Sequence, residues 1–151
     1  MDGMKVLFVC IHNSARSQIA EAYLNLFGNG KFDAESAGLE PGGLNPFAVE
    51  AMKEDGIDIS NNKVKDVFDF FKKGKMYGYV ITVCDEASAE RCPIFPGVCE
   101  RLHWSFADPA AIEGTYEEKL TGTRIIRDQI KMKIKDWIRE VEYKSLDDGR
   151  K

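Results

Sequence analysis

The sequence predicts an α/β fold, a four-stranded parallel sheet with helices on both faces, forming a single domain over residues 1–151. Three observations carry this expectation. Short apolar or alternating runs at residues 5–9, 32–37, 79–84 and 100–104 read as strands. Stripes at helical spacing separate them. Cys10 and Cys84 each stand at the carboxyl end of a strand, where open α/β sheets place their ligands.

In chain order, Lys5-Val6-Leu7-Phe8-Val9 is the opening strand, and the run from Gln18 to Leu24 starts the first helix. Its stripe is Ile19, Ala20, Tyr23, Leu24 and Phe27, and Gly28-Asn29-Gly30 stops it. Residues 32–37 alternate and form a second strand. Asn45 caps a helix with Pro46 at its first position, running to about Asp55 before Gly56. Ile57 and Ile59 anchor an extended segment, with Ser60 as the candidate cap of the next stretch. Val64, Val67, Phe68 and Phe71 lie at helical spacing, and Lys72-Lys73-Gly74-Lys75 closes that element. Tyr79 to Cys84 is rich in β-branched residues, as a buried parallel strand requires. Asp85 to Arg91 reads as a short helix capped by Asp85, Glu100 to Trp104 as the last strand, and Thr123 to Tyr143 as the final helix. The tail, about 144–151, is polar, and its end from Asp147 is expected to fray.

A hydrophobic content of 44% with 30% charged residues fits a soluble globular protein. The net charge of −4 argues against a nucleic-acid partner, which would call for a basic stripe. No apolar run approaches the roughly 18–20 residues that span a bilayer. Met1-Asp2-Gly3-Met4 lacks the basic start of a signal peptide, so a cytoplasmic location is expected. In a reducing compartment the cysteines, Cys10, Cys84, Cys92 and Cys99, are catalytic or redox groups, metal ligands or inert buried thiols.

The chemistry concentrates in Cys10-Ile11-His12-Asn13-Ser14-Ala15-Arg16-Ser17, between a strand and a helix. A helix N-terminus presents unpaired N–H groups and partial positive charge, which attract anions and favour a thiolate. Arg16 adds a permanently charged planar fork suited to tetrahedral oxyanions. The stretch therefore points to a cysteine nucleophile beneath a bound oxyanion.

This string resembles the phosphate-binding loop of low-molecular-weight protein tyrosine phosphatases and of the arsenate reductases built on the same flavodoxin-like fold. Phosphatases of that family usually carry a second cysteine inside the loop and proline after Arg-Ser. Here Ser14-Ala15 and Gln18 stand in those places, followed by Ala20-Glu21, as in the arsenate reductase branch. Ser36-Ala37-Gly38, the Asn45-Pro46 helix and Trp104…Asp108-Pro109 match in order, so the resemblance covers nearly the whole chain. It implies that Cys10 is the nucleophile, that loop residues Cys10 to Arg16 bind the oxyanion, and that Ser17 donates a hydrogen bond to the thiolate. Asn13 would tie the loop into shape and Asp108 would be the general acid; His12 receives no catalytic role. The implied substrate is arsenate, with phosphate or sulfate as analogues, and the protein is expected to be a monomer.

Asp108 serves arsenate reduction and phosphomonoester hydrolysis equally, so phosphatase activity is the alternative. Ala110-Ala111-Ile112 after the Asp-Pro pair, where the phosphatases place aromatic residues, suggests a small oxyanion; Tyr116 nearby weakens that inference. The stronger discriminator is Cys84 with Cys92, which resemble the resolving pair of thioredoxin-coupled arsenate reductases. Disulfides Cys10–Cys84 and then Cys84–Cys92 would carry two electrons, with thioredoxin as donor and no bound cofactor. Because disulfides need Cα atoms about 4.4–6.8 Å apart, the Asp85–Arg91 segment would have to unwind. Cys99 is a bystander or an alternative resolver. A zinc site of Cys84, Cys92, Cys99 and His103 lacks the usual tight cysteine pair. Relatives holding potassium near the loop suggest Asn13, Ser36 and Asp66 as ligands, yet Glu40 to Leu44 offers no histidine.

Overall fold

A computed structural model describes residues 3–148. Its sheet has the order β2-β1-β3-β4, with every pairing parallel. The strands are β1 (Met4–Cys10), β2 (Phe32–Gly38), β3 (Tyr79–Thr82) and β4 (Glu100–His103). The helices are α1 (Arg16–Phe27), α2 (Pro46–Glu54), α3 (Val67–Lys72), α4 (Glu86–Ala89) and α5 (Tyr116–Asp148). A single 3₁₀ turn, Pro109–Ala111, precedes α5.

Alternation along β1 divides the core. Val6, Phe8 and Cys10 face a large cluster filled by Ile19, Tyr23 and Leu24 of α1, Met52 of α2, and Ile130, Ile134 and Trp137 of α5. Leu7 and Val9 face a smaller one with Val67, Phe70, Tyr77, Cys92 and Phe95. Both faces of β1 are thus buried, and a nearly continuous apolar run is the sequence such a strand demands. The chain leaves β1 to one side for β2 and returns to the other for β3, which makes the carboxyl ends of β1 and β3 the switch point of the sheet.

Boundaries depart from expectation at several elements. The first helix begins at Arg16 rather than Gln18, so Arg16 and Ser17 belong to its first turn. β3 ends at Thr82 rather than Cys84, and β4 at His103 rather than Trp104, because residues beyond them keep only single ladder bonds, Val83 N–H to Val9 O at 2.8 Å and Trp104 N–H to Thr82 O at 2.8 Å. α3 is capped by Asp66, which accepts from the Phe68 N–H at 2.8 Å; Ser60 donates instead to Asp58 in a local turn. α4 is shorter than residues 85–91, although Asp85 caps it as expected.

The largest departure is α5, which starts at Tyr116 rather than Thr123 and continues past Tyr143 to Asp148. Thr115 and Glu118 form a reciprocal capping box, each backbone N–H donating to the other's side chain at 3.2 Å. Gly122 lies inside the helix, where a Cβ would come 2.6 Å from the end of the Ile112 side chain. Residues 149–151 of the expected tail lie outside the described residues.

The cap assignments are testable by urea denaturation. Thr115→Ala is expected to lower the unfolding free energy by about 1 kcal/mol. Ser60→Ala, at an exposed turn that caps no helix, should change it by less than about 0.5 kcal/mol.

Candidate active site

The loop between β1 and α1 is shaped by what holds its carbonyls. Leu39, Glu40, Gly42 and Asn45 donate backbone N–H groups to the carbonyls of Cys10, Ile11, His12 and Ser14 at 2.7–3.1 Å. Gly38 permits this close approach, since a Cβ there would lie 2.8 Å from the backbone of Ile11, His12 and Asn13. With carbonyls engaged by that outer segment, the amides are left for the centre. The Asn13 N–H donates to Cys10 Sγ at 3.2 Å. Among the described residues, the amides of Ser14, Ala15 and Arg16 have no acceptor in the protein, and α1 has no side-chain cap. An open helix start of this kind binds anions.

Asn13 is buried, at a left-handed φ of 54°, and its amide fixes the direction of a proton chain. Oδ1 accepts from the Lys65 backbone N–H at 3.0 Å and from Gln18 Nε2 at 3.1 Å. Because a backbone N–H can only donate, the orientation of the amide follows: Nδ2 donates to Ser17 Oγ at 2.7 Å. That leaves the Ser17 hydroxyl free to donate to Cys10 Sγ, 2.8 Å away. The sulfur thus faces two donors, arranged to receive an anionic form.

Arg16 is 5% exposed, its guanidinium held by the Phe106 carbonyl at 3.2 Å and by Asp108 Oδ2 at 3.7 Å. Asp108 is one-third exposed; its other oxygen accepts from the Ala110 N–H at 2.9 Å and caps the 3₁₀ turn. A buried cation, a partly exposed carboxyl and the open amides therefore share one mouth with Cys10. A neighbouring hollow of about 500 Å³ is lined by His12, Ser14, Phe47, Pro109 and Ile112. His12 is turned aside, its Nδ1 paired with the Glu40 carbonyl at 2.8 Å. Tyr116 packs on Phe47 and donates to Glu50.

The two resolving candidates are separated by the sheet. Cys84 is fully buried in the same cluster as Cys10. Burial pushes its thiol up to about 11; Arg16's charge opposes this, and Cys10 adds to it. Cys92 lies in the opposite cluster, where burial also pushes its thiol up to about 11. Between them, α4 buries no side chain fully and is held by its Asp85 cap, an exposed Arg91–Glu40 ion pair and the partial packing of Ala89 on the Cys10 cluster. All four cysteines are free thiols.

Each suggested potassium ligand already has a partner within the protein. Asn13 Oδ1 already has two donors, Asp66 caps α3, and the Ser36 hydroxyl donates to Glu21 at 2.9 Å. The cation beside Glu21 is the Lys65 ammonium, at 3.5 Å.

Gln18 is a structural participant to which the sequence pattern assigns no role. Fully buried, it donates to Asn13 and to the Lys63 carbonyl at 3.0 Å and accepts from Asn62 at 3.1 Å. The signal for it is an amide beside Ile19 on the inward stripe of a first turn, where a polar group needs buried partners.

Fold and site define a class: a parallel α/β protein whose thiol sits at the switch point in a loop of inward-facing amides. The chain belongs to the low-molecular-weight phosphotyrosine protein phosphatase family, whose model matches residues 5–147. It is 44% identical over 137 residues to the arsenate reductase of Halalkalibacterium halodurans, spanning 89% of this chain and 95% of that one. A solved arsenate reductase in a phosphate-binding state superposes with a TM-score of 0.72 at 30% identity, over 91% of this chain and 98% of that one. A thioredoxin-dependent arsenate reductase from Corynebacterium glutamicum superposes at 0.70 with 26% identity, over 95% of this chain and 64% of that one.

Asn13→Ala removes the amide that joins Lys65, Gln18 and Ser17 and leaves alanine in a left-handed conformation. The expected loss is about 2–4 kcal/mol of unfolding free energy by chemical denaturation.

Proposed function

We propose that this protein reduces arsenate to arsenite with thioredoxin as electron donor. The observation that carries the reading is the placement of Cys84 in one buried cluster with Cys10, beside the charge of Arg16. A hydrolase needs no second thiol there; reduction of arsenic(V) to arsenic(III) needs two. The arsenate reductases similar to this chain support the same choice.

Bound arsenate would take its charge compensation from Arg16 and the open amides at the start of α1. Cys10 attacks arsenic while Asp108 protonates the departing oxygen, which leaves as water. Cys84 then attacks the Cys10 sulfur. The sulfur–arsenic bond breaks with its electron pair staying on arsenic, so arsenite leaves and a Cys10–Cys84 disulfide remains. Cys92 attacks Cys84, Cys10 departs as a thiolate, and thioredoxin reduces the Cys84–Cys92 disulfide. Since Cys92 lies on the other face of the sheet, the second exchange requires the α4 segment to open. A four-residue helix whose only core contact is the partly buried Ala89 has little apolar stabilisation to lose.

The deciding assay follows NADPH oxidation with thioredoxin, thioredoxin reductase and arsenate, alongside hydrolysis of an aryl phosphate. Arsenate-dependent oxidation that disappears in Cys10→Ser is expected, with Asp108→Asn slowed about 100-fold. Cys92→Ser should release one equivalent of arsenite and then stop. Aryl phosphate turnover without arsenate-dependent oxidation would identify a phosphatase instead.

The pH dependence of the first disulfide has a definite sign. A thiol raised to about 11 is protonated near neutrality, and its thiolate fraction grows about tenfold per pH unit. In acid-quenched single turnovers of Cys92→Ser, where the first disulfide is not passed on, Cys10–Cys84 formation should therefore climb from about pH 7 to pH 10 without a plateau.

A further inference from the structure

Cys99 is the one thiol the proposed cycle leaves idle, and the structure packs it against the cluster that holds Cys92. Both pack into the cluster on the face of the sheet opposite the oxyanion loop. They stand at the two ends of one loop. Between them Pro96 and Gly97, the latter at φ 85°, turn the chain back. Phe95 anchors the loop's middle, 4% exposed and edge-on to Tyr77 and Phe71.

Cys10, Cys84 and Cys92 are all buried; Cys99 is the partly exposed cysteine. Ile94 and Val98, at 75% and 99% exposure, flank it with an apolar rim. Arg101 lines the same small hollow as Cys99, and its charge opposes the upward push of burial on both Cys92 and Cys99. The intervening residues, 93–98, belong to no helix or strand, so bringing the two sulfurs into bonding range disturbs no ladder.

We propose that Cys99 is a fourth redox thiol, which accepts the disulfide from Cys84–Cys92 as Cys92–Cys99 and presents it to thioredoxin. The proposal rests on the relay described above. The Cys99 thiolate attacks Cys92 Sγ, the Cys84–Cys92 bond breaks, and Cys84 leaves as a thiolate that takes up a proton. Two electrons' worth of oxidation moves unchanged from one sulfur pair to the next. The thioredoxin dithiol then reduces the new disulfide by attack at the accessible Cys99 sulfur. The exchange frees Cys84, so α4 can refold while oxidation still waits at the surface.

The test is a tryptic map of the full-length protein after one arsenate turnover, acid quench and alkylation. Cleavage after Lys75, Arg91 and Arg101 leaves Cys84 in peptide 76–91 and both Cys92 and Cys99 in peptide 92–101. The expected product is peptide 92–101 unalkylated and lighter by two hydrogen atoms, with Cys84 alkylated. In Cys99→Ser and Cys99→Ala, peptides 76–91 and 92–101 should instead be disulfide-linked. Their thioredoxin-coupled turnover should fall several-fold while the first equivalent of arsenite still appears, which also reports a folded site. Linked peptides with alkylated Cys99 in the unsubstituted protein, or unchanged coupled turnover in both variants, would overturn the role of Cys99 and leave the three-cysteine relay standing. Arsenite release with no oxidised cysteine would overturn both.

Discussion

The site depends on Asn13 holding a left-handed turn in the middle of the loop, at φ 54°. That turn directs its own amide at the Cys10 sulfur. The side chain then links the loop to α1 through Gln18 and Ser17 and to the segment before α3 through Lys65. Left-handed backbone is disfavoured for residues with a Cβ, and asparagine tolerates it better than most. The surrounding bonds hold it there, and Gly38 gives the loop room to lie against β2.

Charge is arranged around this turn with the same economy. Arg16 is buried and held by a backbone carbonyl, with Asp108 as its nearest carboxylate partner at a loose 3.7 Å. Its capacity to meet an oxyanion is therefore only partly spent within the protein. On the outer side of the loop, Lys65 balances Glu21, so the acid behind the loop has a resident cation of its own.

The sheet explains the division of the thiols. A switch point puts the ends of β1 and β3 side by side, which brings Cys10 and Cys84 to one cluster. The chain then crosses through α4 to the opposite face, where Cys92 and Cys99 pack together. Two thiols near the anion and two behind the sheet suit a pathway that carries oxidation away from the substrate. The short α4, which buries no side chain fully, lies between the halves, and in the proposed relay its opening would connect them.

Much of this is legible along the chain. Val6 to Val9 had to be buried on both faces, Asn45-Pro46 had to open a helix, and a cysteine and arginine around a helix start had to attract an anion, because these are local consequences of side-chain chemistry. The start of α5 was present too, in the reciprocal spacing of Thr115 and Glu118. Only the tertiary structure decides that Lys65, far along the chain, orients the Asn13 amide, that Gln18 finds its partners in Asn62 and Lys63, and that Cys92 has the sheet between itself and Cys84. Those facts depend on which distant segments share a face, and spacing in one dimension carries no record of that.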